Sequence, residues 1–97
     1  MTANPLTQPA DSIAVRGREL RELAERMPEP VLADVLADWR ALYAATNAGE
    51  LRAHLERFVA FYEGQLVGVG DEQLELRLRL ARQFGLHPER FAITFNG

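Results

Sequence analysis

RFVAFY, Arg57 to Tyr62, places five apolar residues in succession from Phe58 onward, so a strand built from it carries apolar side chains on both of its faces. Whatever fold this chain adopts must supply a covering layer for each side of that strand. Glu63-Gly64 reads as a two-residue hairpin turn in which the glycine accepts a positive φ. Leu66, Val67 and Val69 then form the return strand. Gly68 and Gly70 leave one face of it bare, which lets a helix or another backbone approach closely.

In the next stretch, Leu74, Leu76, Leu78 and Leu80 alternate with charged residues, as they would in a half-buried strand. Its composition is nevertheless Leu, Arg, Glu, Gln and Ala without a β-branched residue. Asp71 suits an N-cap, and Gly85 followed by Pro88 suits a helix end, so residues 71–84 are expected to be helical. Phe91, Ile93 and Phe95 alternate with Ala92 and Thr94 in a final strand. The expected fold is α+β: a β-β-α-β unit whose three strands form an antiparallel sheet, with the most apolar strand in the middle and a helix on one face. An N-terminal helical hairpin or a second subunit must cover the other face.

That hairpin is expected from two amphipathic stretches. Ser12 to Met27 repeats Ile13, Leu20, Leu23, Ala24 and Met27 at helical spacing, weakened at Gly17, and Pro28 and Pro30 break it. Val31 to Ala45 carries Leu32, Val35, Leu36, Trp39, Leu42 and Tyr43, the clearest helical pattern in the chain. Asn47 and Gly49 end it, and a short third helix is expected over Glu50 to Leu55. So short a link between the first two helices predicts that they fold back on one another. The organisation read from this is a disordered tail over residues 1–11 and a single domain over 12–97, with a helical part (12–55) and a β-β-α-β part (57–97).

Ninety-seven residues with 47% hydrophobic content allow one modest core, and surplus apolar surface is then expected to meet a partner chain. A net charge of −3 argues against a protein that holds nucleic acid by a general basic excess. All the basic residues are Arg, a habit of GC-rich genomes that carries no mechanism. The absence of cysteine excludes disulfides, thiolate metal sites and cysteine nucleophiles. Met1 to Ala10 has neither a basic start nor an apolar run, so a cytoplasmic protein without membrane attachment is expected.

No motif reads as an active site. GVGD, Gly68 to Asp71, lacks a third glycine at Gln73, and Asp71 would oppose a phosphate. His87-Pro88-Glu89 matches the start of a zinc deaminase signature without the cysteines that chemistry requires. Glu50 and His54 share a spacing but make only two ligands, and Ser12, the only serine, has no histidine placed beside it. The chain is therefore read as a non-enzyme with no metal and no cofactor.

Two groups remain. Leu32, Val35, Leu36, Trp39 and Tyr43 are candidates for apolar contact in a homo-oligomer or with a protein partner, aromatic pairs one turn apart being common interface anchors. Arg77, Arg79, Arg82 and Arg90 form the densest basic group and supply the alternative, a regulator binding nucleic acid or another anion, although Glu72 and Glu75 dilute it. Arg57 to Gly70, RFVAFYEGQLVGVG, with a following helix and the ending LHPERFAI, resembles an uncharacterised family of small bacterial and archaeal domains built as hairpin, helix and strand (residues 57–95). That resemblance implies a fold and no activity. Leu20 to Tyr43, LRELAERMPEPVLADVLADWRALY, resembles the helix-proline-helix hairpin of small antitoxin-like proteins, where it serves self-association or partner contact. The basic DNA-binding arm that precedes the hairpin in that group is lacking here. The expected function is a small self-associating protein-protein interaction module.

Overall fold

A computed structural model describes the backbone from Gln8 and the side chains from Ile13 to Gly97. In chain order it contains α1 (Gln8–Arg26), α2 (Leu32–Asn47), a 3-10 turn (Arg52–His54), β1 (Arg57–Tyr62), β2 (Gln65–Gly70), α3 (Gln73–Phe84), a second 3-10 turn (Pro88–Arg90) and β3 (Ala92–Asn96). The expected α+β class, strand order and antiparallel sheet are all present: β1 lies in the centre, with β2 and β3 antiparallel on either side. Part of the tail segment is helical, since α1 already begins at Gln8; residues 1–7 lie outside the described residues. The short third helix expected over 50–55 is a single 3-10 turn.

The double-faced character of β1 dictates the layers. Ala60 is fully buried on one side with Leu76, Leu80, Phe91 and Ile93, and Phe58 and Tyr62 pack at that cluster's margin. Val59 and Phe61 are buried on the other side with Leu42, Ala45, Leu51 and Ala92. α3 therefore covers the first face and α2 the second. Glu63 and Gly64 both take positive φ (51° and 78°), the mirror-image turn geometry that suits the twist of a hairpin, with Tyr62 opposite Gln65. β2 carries one extra residue, Val67, where the register shifts opposite Ala60 and Phe61.

Gly68 explains how closely α3 approaches. A Cβ built there would lie 3.0 Å from Leu76 Cδ1 and 3.2 Å from Leu80 Cδ1, so the helix occupies the space the missing side chain leaves. α3 is capped by Glu72 rather than Asp71: the Glu72 carboxylate accepts the Glu75 N–H at 3.0 Å, while Asp71 accepts from Arg57 Nε at 2.9 Å. Gly85 closes the helix in the left-handed conformation, φ 65°.

The two N-terminal helices follow one another as expected but share no cover. α1 packs on α3 and on the turn before β3, through Leu20, Leu23 and Met27, whereas α2 packs on β1, β2 and β3 from the opposite side. The leucine alternation in α3 accounts for this. Leu76 and Leu80 press on the sheet, while Leu78 lies in the groove beside Val15 and Glu19 of α1, so α3 is apolar on two sides and draws α1 onto its back. The resulting order of layers is α1, α3, sheet, α2.

Gly68→Val should lower stability by about 1–3 kcal/mol through overpacking against Leu76 and Leu80. Gly17 has nothing within 4 Å of its notional Cβ, so Gly17→Ala should raise stability by about 0.5–1 kcal/mol. Urea denaturation midpoints of the two variants check both signs.

Candidate functional site: the outer face of α2

α2 is held to the sheet by a carboxylate that periodicity alone does not suggest. Asp38 lies on the same helical stripe as Val35, Leu42 and Ala45 and is only 2% exposed. Its Oδ1 accepts the Gly64 N–H at 2.8 Å, which ties the helix to the hairpin turn. Its Oδ2 pairs with Arg90 Nη1. The Arg90 guanidinium lies 4.6 Å from the centroid of the Tyr62 ring, so the half-buried cation has a carboxylate on one side and a π face on another. Burial, followed by the Glu63 hydrogen bond, pushes the Tyr62 phenol above its ordinary value.

With α2 clamped in this rotation, the five apolar candidates divide. Leu32, Leu36 and Tyr43 point outward and are 69%, 43% and 59% exposed. Val35 is half-buried on the sheet side. Trp39 is also half-buried: it packs against the Leu42 cluster and stacks on Tyr43 with ring centroids 5.8 Å apart. Ala33, Ala37 and Ala44 are exposed beside them, and the exposed charged side chains of α2 are Asp34 and Arg40. An outer helix face is ordinarily polar; this one is built of leucine, alanine and tyrosine.

The four arginines of the basic group do not form a patch. Arg77 is turned inward and donates to the carbonyls of Pro88 (2.7 Å) and Phe91 (3.3 Å), fastening α3 to the segment that leads into β3. Burial pulls its pKa below the ordinary guanidinium value, with the Glu89 carboxylate opposing. Arg90 is spent on Asp38. Arg79 donates to the Val69 carbonyl at 3.1 Å and lies near Glu75, and Arg82 pairs with Glu19 of α1. Helical geometry also separates them, because Arg77 and Arg79 stand about 200° apart around α3.

Among the described residues no three histidine, aspartate or glutamate side chains gather as a cation site, and no helix is long and apolar enough to cross a membrane. An open groove of about 810 Å³ lies between α1 and α3, and its arginines Arg16, Arg79 and Arg82 already face Glu72, Glu75 and Glu19. His87 caps the second 3-10 turn, its Nδ1 accepting the Glu89 N–H at 3.0 Å. Comparison with known proteins adds no relative: no family model, curated protein or solved structure matches the chain.

Asp38 is the important residue that sequence reading passed over. The available signal was a lone acid within the stripe Val35, Asp38, Leu42, Ala45, a position that demands a buried partner. Asp38→Ala leaves Arg90 buried without its counterion and should cost about 3–5 kcal/mol. Glu19→Ala breaks the exposed pair with Arg82 and should cost no more than about 1 kcal/mol. Chemical denaturation of the two variants separates a clamp from a surface contact.

Proposed function

We propose that this chain is a small non-enzymatic protein-protein interaction module that self-associates through the outer face of α2. The observation that carries this reading is the exposure of Leu32, Leu36 and Tyr43 on a helix whose exposed charged residues are Asp34 and Arg40. Apolar surface of this kind gains by removal from water, at about 25 cal/mol per Å². Val31, immediately before the helix, is 62% exposed.

The anion-binding alternative has no comparable surface behind it. Two of its four guanidiniums are committed to Pro88, Phe91 and Asp38, and the other two face carboxylates.

Leu36→Glu tests the proposal, because Leu36 is exposed and its replacement leaves both core clusters intact. Light scattering behind size exclusion should find the wild type dimeric and the variant monomeric at equal concentration, with unchanged circular dichroism. The expected weakening is about 100-fold, or ~2.7 kcal/mol. A wild type that stays monomeric at high micromolar concentration would overturn the reading.

A further inference from the structure

We propose that Asn96-Gly97 is a self-modification site that the fold holds closed: the asparagine survives while the end of β3 is in place and converts to aspartate or isoaspartate once the chain opens. Asparagine before glycine is the pairing most open to this reaction, because the attacking amide nitrogen belongs to a residue with no side chain to hinder it. The other asparagines lack that neighbour. Asn47 precedes Ala48, and Asn4 precedes Pro5, which has no N–H to lose.

The reaction is a ring closure followed by hydrolysis. The Gly97 nitrogen gives its proton to solvent and bonds to Asn96 Cγ; the Cγ–Nδ2 bond breaks, and the nitrogen takes a proton from water and leaves as ammonia. Water then opens the succinimide at either of its carbonyls, giving aspartate or isoaspartate. In sum, an amide and a water become a carboxylate and an ammonium ion.

The native site opposes each step. Asn96 is only 7% exposed, and its Nδ2 donates to the carbonyls of Leu51 (2.8 Å) and His54 (3.0 Å), so the leaving group is held. The backbone is held as well: Asn96 pairs with Arg57 across the β1–β3 ladder, and its carbonyl accepts the Glu56 N–H at 2.6 Å. To bring the Gly97 nitrogen onto Cγ, the Asn96 ψ must leave the extended range, about +135° in an antiparallel strand. That rotation swings the Asn96 carbonyl away from Glu56, so the end of β3 has to lift before the ring can close.

The product does not fit the site it came from. The Leu51 and His54 carbonyls, which now receive an N–H, would face a carboxylate with no proton to give. Isoaspartate in addition routes the main chain through Cβ at the last pair of the β1–β3 ladder. Asn96 ties the 3-10 turn and the buried Leu51 to the end of β3, and a converted chain loses that tie. Opening followed by conversion is then a one-way exit from the folded population.

The test holds the wild type at one pH and temperature in buffer and in unfolding guanidinium chloride, and follows the peptides containing Asn47 and Asn96 by mass spectrometry. The expected result is conversion at Asn96 in denaturant and at least about tenfold slower conversion in buffer, the suppression given by an opening free energy of ~1.4 kcal/mol. Asn47 stays slow in both. Gly97→Ala, whose added Cβ meets the exposed Phe95 ring at 3.2 Å, should remove most of the Asn96 conversion in denaturant. Equal rates in buffer and denaturant, or Asn47 converting as fast as Asn96 in denaturant, would overturn the gated site. Asn96→Asp carries the product's charge from the start and is expected to unfold at lower denaturant than the wild type; an equal midpoint would overturn the one-way exit.

Discussion

The Asp38 carboxylate joins three parts of the chain that are far apart in sequence: α2, the Glu63-Gly64 turn and Arg90 just ahead of β3. Removing a carboxylate and a guanidinium from water costs several kcal/mol per ion, and their mutual attraction repays this only when the remaining hydrogen-bonding capacity is filled. Here the Gly64 amide donates to one carboxylate oxygen and the Tyr62 ring lies over the cation. No described buried side-chain polar atom lacks a partner. The clamp accepts little change in the rotation of α2, because turning the helix by one residue would carry Asp38 away from both donors. The rotation that satisfies Asp38 is also the one that sends Leu42 and Ala45 into the sheet and turns Leu32, Leu36 and Tyr43 out.

The two faces of the sheet are covered differently, and Gly68 is where the difference begins. A strand without a side chain at that point lets α3 settle against the backbone, so Leu76 and Leu80 alone fill the space. α3 carries further leucines, among them Leu78, that the sheet cannot reach. α1 meets this demand by lying along the back of α3 with Leu20, Leu23 and Met27, helped by the Arg16–Glu72 and Glu19–Arg82 pairs at the margin. Once α1 is used there, α2 has no second helix to share its other side.

This sequence of demands marks what could be read in advance. The central strand, its Glu-Gly turn and the close approach at Gly68 follow from local chemistry and are present, as is the helix read over residues 71–84, which begins at Gln73. The packing of α1 and α2 was not legible in the same way. A short link containing Pro28 and Pro30 is as compatible with helices on opposite sides of a thin sheet as with a hairpin, and the deciding feature, the second apolar side of α3, lies fifty residues downstream. The α3 cap shows the same limitation on a smaller scale. Asp71 and Glu72 are both able to cap, and Arg57 across the hairpin draws Asp71 away.

Charge was the least legible property, because an arginine in a one-dimensional pattern looks like surface whether it faces water or a carbonyl. Arg77 donates to two carbonyls and Arg90 pairs with Asp38 under the Tyr62 ring, roles for which a guanidinium is better suited than an ammonium. They hold down the same stretch, His87 to Phe91, from two sides: Arg77 reaches its carbonyls from α3, and Arg90 leaves it for Asp38 on α2. That stretch has little regular structure beyond one 3-10 turn, yet Pro88 and Phe91 are buried. Arginine therefore fixes the register with which β3 enters the sheet. The cost is that charge consumed in this way cannot also recruit a ligand. Mixed pairs line the α1–α3 groove, and the outer side of α2 is left with Leu32, Leu36 and Tyr43 exposed.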